Sequence, residues 1–249
     1  MERDKNENRG TVLIRLDQYL VESGKVETRN KAQNMIKEAL VSVDGIIMLK
    51  SSLKIDPEIS VIKLLEHKDY VSRAALKLDA FLDELDMKIE GCNALDIGSS
   101  TGGFTQVLLE RGVLHVSCVD VGSDQLHHSL RNDERVSVYE NQDIRVFEPN
   151  EKFDLVTSDV SFISLLHILD AVDTLASDTI ILLFKPQFEV GREAKRDKNG
   201  VVSDEKVIQK AMIHFEDACV IKGWNLVLKS ASKLTGKEGN LEYCYCYKK

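Results

Sequence analysis

Residues 94–112 read ALDIGSSTGGFTQVLLERG. This run predicts a short apolar strand ending at Ile97, a glycine-rich turn, and a helix that starts at Gly103. Glycines in the turn, Gly98 and Gly102 among them, would let the backbone approach a bound molecule without an intervening Cβ. Ligands of open parallel sheets bind beyond the carboxyl ends of the strands, so the turn is a predicted binding site.

The spacing of the glycines and the neighbouring charge indicate the class of ligand. The pattern is G-x-x-x-G-G rather than the G-x-G-x-x-G of dinucleotide-binding turns, which disfavours a pyrophosphate. Asp96 precedes the first glycine, where a carboxylate would repel a phosphate and attract a cationic cofactor such as S-adenosylmethionine. The sequence thus favours a Rossmann-like methyltransferase, with a dehydrogenase as the main alternative.

Two further acids follow predicted strands of the same sheet. Asp120 stands where an acid would hydrogen-bond ribose hydroxyls, and Asp143 where one would accept from an adenine amino group. Each alone could be an ordinary turn residue, but three acids at consecutive strand ends favour a binding site. The predicted cofactor-binding residues are Asp96, Gly98, Ser99, Gly102, Gly103, Phe104, Asp120, Asp143, Ile144 and Asp159.

The rest of the chain predicts an α/β fold with two domains. From residue 72 onward, apolar strands alternate with helices of about ten residues, which indicates a parallel sheet with right-handed crossovers and a terminal antiparallel hairpin. Residues 11–63 instead predict two helices and a hairpin turning at Asp44-Gly45, a small α+β domain. Residues 64–71 are a predicted linker, residues 72–249 the Rossmann-like domain, and residues 1–10 a disordered tail.

Composition limits the function classes. The formal net charge is −8, so the whole chain is not a basic nucleic-acid binder, although residues 1–68 hold 12 basic and 11 acidic residues. The five cysteines include no C-x-x-C pair, which disfavours both disulfides and zinc, and no metal site is predicted. The polar N-terminus and the short apolar runs predict a soluble cytoplasmic protein without a membrane segment.

Four ionisable residues form the predicted catalytic site: Lys77, Asp159, Lys185 and Glu242. Asp159 and Lys185 each follow an apolar strand, so both would face the cofactor edge of the sheet. A lysine that ends an apolar strand is poorly solvated, and within hydrogen-bond reach of a hydroxyl it can act as a base or stabilise the forming alkoxide. A structural ion pair between Asp159 and Lys185 and a solvated surface position for Lys77 are the simpler alternatives.

The segments SRAALKL, TSDVSFIS, LLFKPQFE and NLEYCY, which carry these four residues, resemble the FtsJ-type ribose 2′-O-methyltransferases over residues 70–249. The resemblance implies a catalytic Lys-Asp-Lys-Glu tetrad, S-adenosylmethionine as the cofactor and a seven-stranded sheet. The family usually has glycines where this chain has Ala74 and Ala75.

Residues 14–62 resemble the RNA-binding module named after ribosomal small-subunit protein four, through RLDQYL, TRNKAQNMI and VSVDG. Together with KPQFEVGRE and NGVV, the two-domain layout resembles the TlyA family. That resemblance implies methylation of a cytidine 2′-hydroxyl in ribosomal RNA, and the short C-terminus implies large-subunit RNA. A glycine is common in the family at Ala39, where alanine is expected to favour helix propagation.

Basic residues on the N-terminal helices and near the catalytic residues are candidates for holding RNA phosphates. Those on the two helices are candidates for one phosphate-facing patch, with a solvated helix face as the alternative. The loop over 191–200 is a candidate for a mobile loop that closes over the substrate, with a plain solvated loop as the alternative. The candidates are Arg15, Arg29, Lys31, Lys37, Arg73, Arg192, Lys195 and Arg196. A non-catalytic ribosome-assembly factor and a pore-forming haemolysin are the alternatives from other functional classes, and the sequence leaves the oligomeric state open.

Overall fold

The computed structural model describes residues 13–65 and 69–249. The chain forms two compact units, residues 1–68 and 69–249, and this division falls within the segment predicted as a linker. The tail predicted over residues 1–10 and the centre of that linker lie outside the described residues.

The first unit contains two helices and short strands around a small apolar core. Helix α1 runs over Leu16–Glu22 and α2 over Arg29–Lys37, which begins where the Thr28 side chain accepts a hydrogen bond from a backbone N–H of its first turn. The core includes Leu16, Leu20 and Ile36, all fully buried.

The predicted hairpin of this unit is present and belongs to a larger sheet. Strands β2 and β3 turn at Asp44 and Gly45, whose φ angles of 53° and 81° are those of the tight turns that asparagine, aspartate and glycine favour. Strand β5 pairs with the other side of β2, which gives a sheet of three strands. Strands β1 and β4 form a separate antiparallel pair. Such short strands show no recognisable hydrophobic periodicity in the sequence. The strands are β1 (Ile14–Arg15), β2 (Val41–Val43), β3 (Ile46–Ile47), β4 (Lys54–Ile55) and β5 (Ile62–Leu64).

Ala39 ends α2 instead of prolonging it, so the expectation of helix propagation is wrong. Its φ is +62°, and the N–H groups of Ala39 and Leu40 bond back to the carbonyls of Ile36 and Met35. These are the two hydrogen bonds of a helix end that usually has glycine at this position. These two hydrogen bonds and the burial of the Ala39 side chain stabilise a left-handed backbone conformation at Ala39. That conformation costs a residue other than glycine about 1 kcal/mol of conformational free energy.

The second unit is built on a seven-stranded sheet with the strand order β11-β12-β10-β9-β6-β7-β8. Five neighbouring strands are parallel, and β12 is antiparallel to both of its neighbours. The predicted α/β class and the terminal hairpin at the sheet edge are therefore confirmed. The strands are β6 (Asn93–Ile97), β7 (His115–Val119), β8 (Val136–Tyr139), β9 (Phe153–Ser158), β10 (Ala176–Phe184), β11 (Asn225–Ala231) and β12 (Tyr243–Lys248).

Helices cover both faces of this sheet and create two apolar cores. One core packs Leu78 and Phe81 of α3 with α4, and the other packs Val172 of α6 and Phe215 of α8. Helix α5 (His128–Arg131) is shorter than the helices of about ten residues that the sequence predicted, because the backbone N–H groups just before it donate to the Glu140 carboxylate. The helices are α3 (Ala74–Leu85), α4 (Gly103–Glu110), α5 (His128–Arg131), α6 (Leu169–Leu175), α7 (Pro186–Glu189) and α8 (Glu205–Ile221).

All five cysteines are free, and four of them are buried. Burial raises the pKa of the Cys219 thiol to about 12 and disfavours the reactive thiolate. In the described part of the chain, no helix combines the length and the hydrophobicity that crossing a bilayer requires.

Asp96 lies inside the second unit and does not face a ligand, which corrects the sequence-based prediction. Its side chain has no exposed surface, and its two carboxylate oxygens accept hydrogen bonds from Thr105 Oγ1 at 2.7 Å and Thr157 Oγ1 at 3.1 Å. Burial raises the pKa of the Asp96 carboxyl to about 6, although these hydroxyls favour the charged form. Asp96 therefore anchors α4, and with it the glycine-rich turn, to the central strands.

The raised pKa of Asp96 predicts how stability depends on pH. Between about pH 4 and pH 6, Asp96 is protonated in the folded chain but ionised in the unfolded chain. The contribution of Asp96 to the unfolding free energy is therefore lost as the pH rises through 6. The loss amounts to about 2–3 kcal/mol. Between pH 4 and pH 8 the unfolding free energy of the Asp96→Asn variant should fall less than that of the wild type in urea titrations. The exposed Asp217→Asn substitution is the control, and parallel curves for all three proteins would contradict the prediction.

Candidate active site

Two adjoining cavities open at the carboxyl ends of the parallel strands in the second unit. The glycine cavity, of about 500 Å³, is lined by Gly98, Asp120 and Ile144, and the lysine cavity, of about 730 Å³, by Lys77 and Lys185. The residues common to both linings are Gly98, Ser100, Asp159, Ser161 and Phe162. A molecule in one cavity would therefore meet a molecule in the other at the Asp159 end of β9.

Gly98 is required by the geometry at this junction. Its φ is +76°, and a Cβ there would lie 3.1 Å from Val160 Cγ1 and 3.3 Å from the Asp159 carbonyl oxygen. The turn after β6 thus passes close to the loop after β9, a contact within the protein that the sequence did not predict.

Asp120 is fixed in place at the end of β7. Its Oδ2 accepts from the Ser100 N–H and its Oδ1 from the Gly122 N–H, each at 2.8 Å. Each carboxylate oxygen has a second lone pair, so an oriented acceptor remains on the wall of the glycine cavity. This is the placement that the sequence predicted for an acid facing ribose hydroxyls.

Asp143 also lines the glycine cavity, but it has a partner that the sequence did not reveal. The Arg145 side chain bonds both of its oxygens, with Nη2 at 2.6 Å from Oδ2, and these bonds lower the pKa of Asp143 to about 2. The Asp143 carboxylate on the wall of the glycine cavity therefore stays ionised, and the Arg145 guanidinium partly neutralises its charge.

Most of the predicted cofactor residues line one of the cavities, but two do not. Asp96 lies beneath the turn, as described above. Gly102 faces away from both cavities: a Cβ there would lie 2.3 Å from Leu130 Cδ1, so this glycine serves the packing of α5. The predicted residues that do line a cavity are Gly98, Ser99, Gly103, Phe104, Asp120, Asp143, Ile144 and Asp159.

The four predicted catalytic residues come together in the lysine cavity as two ion pairs. Lys185 Nζ lies 2.6 Å from Asp159 Oδ1, and Lys77 Nζ lies 2.6 Å from Glu242 Oε2. Both lysines and Glu242 are buried, with exposed fractions of 7%, 8% and 2% for Lys185, Lys77 and Glu242. The solvated position considered for Lys77 is therefore wrong.

The fold explains how distant segments supply these pairs. Asp159 and Lys185 directly follow β9 and β10, two parallel neighbours, so their side chains meet at one sheet edge. Glu242 directly precedes the antiparallel β12, whose start therefore lies beside the end of β10, and Lys77 reaches it from α3.

Two further residues of the cavity were missed at the sequence level. Ser161 Oγ accepts from Lys185 Nζ at 2.8 Å, and Gln187 Nε2 donates to Glu242 Oε1 at 3.2 Å. Both belong to the segments TSDVSFIS and LLFKPQFE, so the signal that could have found them is their position two residues from Asp159 and Lys185.

The cavities together suit a cationic adenosine-containing ligand beside a hydroxyl compound. Carboxylates of Asp120, Asp143 and Asp159 outnumber the single guanidinium of Arg145 on the wall of the glycine cavity. An excess of negative charge attracts a sulfonium and repels a pyrophosphate. Next to it, the Lys185 ammonium can donate to an oxygen on which negative charge develops.

In the first unit, two of the predicted RNA-binding arginines share one buried carboxylate. Arg15 Nη2 and Arg29 Nε lie 2.9 and 3.1 Å from Asp17 Oδ2, and Gln33 Nε2 donates to the same oxygen at 2.8 Å. The Arg15 hydrogen bond holds the pKa of Asp17 well below its usual range. Arg15 and Arg29 therefore form a fixed pair at the surface.

Only part of the expected basic patch lies on one face. Lys37 lies about 80° around α2 from Arg29, whereas Lys31 lies about 200° away and pairs with Glu27 at 3.4 Å. Lys31 therefore lies on the other side of α2 from Arg29, whereas Lys37 lies towards the same side, about 12 Å further along the helix axis.

In the second unit, Arg73 and Arg196 line the lysine cavity, while Arg192 and Lys195 are exposed on the loop before α8. Hydrogen bonds hold the Arg196 side chain in place: its guanidinium donates to the backbone carbonyls of Gln187, Gly191, Arg192 and Ala194. The expectation of a mobile loop is therefore not met at Arg196, which fastens the loop to α7.

Comparison with known proteins gives two matches at the family level. The FtsJ-like methyltransferase family matches residues 70–249, and the S4 domain matches residues 14–58.

Individual relatives match nearly the whole chain. The chain is 50% identical to the 23S rRNA (cytidine-2'-O)-methyltransferase TlyA of Campylobacter jejuni, over 89% of this chain and 82% of the relative. It is 38% identical to the 16S/23S rRNA (cytidine-2'-O)-methyltransferase TlyA of Mycobacterium tuberculosis, over 92% and 87%. A solved hemolysin-like structure from Streptococcus thermophilus superposes with a TM-score of 0.71 at 34% identity, over 96% of this chain and 90% of that one. The chain therefore belongs to the TlyA family, and within it an S4 domain precedes an FtsJ-like methyltransferase domain.

Proposed function

We propose that this protein transfers a methyl group from S-adenosylmethionine to the 2′-hydroxyl of a cytidine in large-subunit ribosomal RNA. The observation that carries the proposal is the position of Lys185, whose ammonium lies between Asp159 and Ser161 where the two cavities meet. Large-subunit RNA is common to the names of the Campylobacter and Mycobacterium relatives, which supports this substrate over the small subunit.

The glycine cavity supports S-adenosylmethionine as the donor. Gly98 allows close backbone approach, Asp120 offers an oriented acceptor for ribose hydroxyls, and Asp159 places negative charge near the lysine cavity. When bound, the donor supplies an electrophilic methyl group on a sulfonium. The protein binds it, orients it and limits water around it.

The lysine cavity supports a ribose hydroxyl as the acceptor. A ribose hydroxyl is a weak nucleophile, so it needs alignment and a partner for its proton. The Lys185 ammonium lies 2.6 Å from Asp159 Oδ1 and donates to Ser161 Oγ at 2.8 Å and to the Asp159 carbonyl oxygen at 3.5 Å. The long carbonyl contact is the one that an acceptor oxygen in the lysine cavity would replace. Lys185 thereby orients this oxygen and stabilises the negative charge that develops on it. The Lys77–Glu242 pair adds a second buried ammonium on the same wall.

RNA recognition would divide between the two units. Arg15, Arg29 and Lys37 offer cations on the S4 domain, and Arg73 lies at the lysine cavity. A ribose inside folded RNA is not accessible to a buried lysine, so the target nucleotide must be extruded, at a cost of a few kcal/mol. An enzyme acting on ribosomal RNA would work in the cytoplasm.

The other candidate functions have less support. The match to the methyltransferase family disfavours a dehydrogenase. A non-catalytic assembly factor would not need two buried ion pairs where two cavities meet. Some proteins similar to this chain carry the name hemolysin. Within residues 13–65 and 69–249, no helix is long and apolar enough to cross a membrane.

Replacing Lys185 by alanine should abolish methyl transfer. Loss of the group that orients the hydroxyl and stabilises its charge should lower the rate about 10³-fold or more. The readout is mass-spectrometric mapping of 2′-O-methyl nucleotides in large-subunit RNA from a strain without the enzyme. Affinity for S-adenosylmethionine, measured by calorimetry, should change by no more than a few fold. Lys210→Ala, on the exposed side of α8, is the control, and unimpaired turnover by Lys185→Ala would remove Lys185 from the mechanism.

Replacing Arg15 and Arg29 together by alanine should weaken RNA binding while donor binding stays unchanged. Each lost phosphate contact should lower the slope of log K against log salt by about 0.7–0.9. Filter-binding titrations at several salt concentrations measure this slope, with Lys210→Ala as the control for net charge. An unchanged slope would show that the arginine pair contacts no phosphate.

A further inference from the structure

We infer that Gln187 is a positioning residue: it holds the Glu242 carboxylate, and through it the Lys77 ammonium, in the orientation that the acceptor nucleotide requires. The inference rests on the proposed function, because it assigns Gln187 a task in the same reaction. Among the residues of the proposed reaction, Glu242 is the one to which the Gln187 side chain donates a hydrogen bond.

Glu242 has one partner for each carboxylate oxygen. Lys77 Nζ lies 2.6 Å from Oε2 and Gln187 Nε2 lies 3.2 Å from Oε1, while only 2% of Glu242 is exposed. Gly236 packs against Oε1 so closely that a Cβ there would lie 2.5 Å away. A carboxylate buried this deeply pays a large cost for an unpaired oxygen, so the amide donor of Gln187 fixes how Glu242 faces Lys77.

The short helix α7 is anchored so that Gln187 points to Glu242. Its first residue, Pro186, directly follows Lys185, and Phe188 packs on Phe162 with ring centroids 5.3 Å apart. Glu189 accepts from the Leu165 N–H at 2.8 Å, which ties α7 to the loop that follows Asp159. The Arg196 guanidinium donates to the backbone carbonyl of Gln187 at 3.1 Å. Contacts on either side of Gln187 therefore leave its side chain directed at the tetrad.

Glu242 determines which way the amide of Gln187 faces. Rotating the amide would bring Oε1 against the Glu242 carboxylate, whereas in the observed orientation Oε1 accepts no hydrogen bond from any of the residues that the structure describes. The donor therefore stays directed at Glu242 although the acceptor gains no protein partner.

Gln187→Glu turns this contact into one that depends on pH. Two carboxylates at this distance share one proton: the introduced carboxyl, when protonated, can donate to Glu242 as the amide does, whereas two ionised carboxylates repel each other. Lys77 is the ionisable group in contact with Glu242. Other ionisable groups of the cavity or near it are Arg73, Asp159, Lys185, Arg196, Lys237, Glu238 and Cys244.

The experiment compares kcat of Gln187→Glu with kcat of the wild type from pH 6 to pH 9 on large-subunit RNA. The ratio should fall about tenfold or more as the pH rises, while calorimetric affinity for S-adenosylmethionine stays within a few fold. Gln187→Leu, which offers no donor at any pH, should lower kcat about tenfold to hundredfold at every pH. Gln209→Glu, the same substitution on an exposed face of α8, is the matched control and should follow the wild type. A constant ratio for Gln187→Glu, or wild-type kcat in Gln187→Leu, would overturn the inference.

A second readout separates this inference from the proposed function. In the folded variant the carboxylate pair binds a proton above the pH at which the unfolded chain releases it, so stability should fall as the pH rises above about 4.3. The unfolding midpoint of Gln187→Glu should therefore drop with pH relative to that of Gln209→Glu. Parallel midpoints would refute the contact. If the wild type methylates no ribosomal RNA, the proposed function fails. An unfolding midpoint of Gln187→Glu that still drops with pH would then support the contact between Gln187 and Glu242 independently of the reaction.

Discussion

The contact between Lys185 Nζ and Asp159 Oδ1 joins the two halves of the site. It lies where the glycine cavity and the lysine cavity meet, and it exists because β9 and β10 are parallel neighbours that end at the same edge of the sheet. If β10 were antiparallel to β9, the residue that follows β10 would lie at the opposite edge of the sheet. The order and direction of the central strands therefore determine that a buried ammonium lies where the two cavities meet.

Three of the buried carboxylates in the described residues are held by different sets of partners. Asp96 is held by two hydroxyls and anchors the glycine-rich turn, whereas Asp17 is held by two arginines and an amide in the S4 domain. Glu242 is held by Lys77 and Gln187. A buried ion pair is expensive to desolvate and is weak as a source of stability, so the reason to keep one is the geometry that it enforces. In each case that geometry orients a turn, a basic surface or a second ammonium.

The short helix α7 gives this site much of its rigidity. From one turn of chain it contributes Gln187 to the tetrad, Phe188 to the aromatic contact with Phe162, and Glu189 to the loop after β9. Because Pro186 presets the first helical turn directly after Lys185, these contacts hold both ends of the segment that carries the lysine. The arrangement limits movement of Lys185 relative to Asp159, as electrostatic stabilisation of a developing charge requires.

The sequence by itself determined the alternation of strands and helices, the glycine turn after β6 and the hairpin at Asp44-Gly45, because these depend on local periodicity and on backbone angles that few residues adopt. It also indicated which residues end the parallel strands, and so which side chains share an edge. Only the tertiary structure decided which of them touch: Lys77 and Glu242 are 165 residues apart, and their pairing depends on how α3 packs against β12. In the same way, Asp96 points into the core because hydroxyls of two other segments bond both of its oxygens. Ala39 ends its helix with a left-handed backbone, because two hydrogen bonds back to that helix and its burial in the core outweigh the helix propensity of alanine.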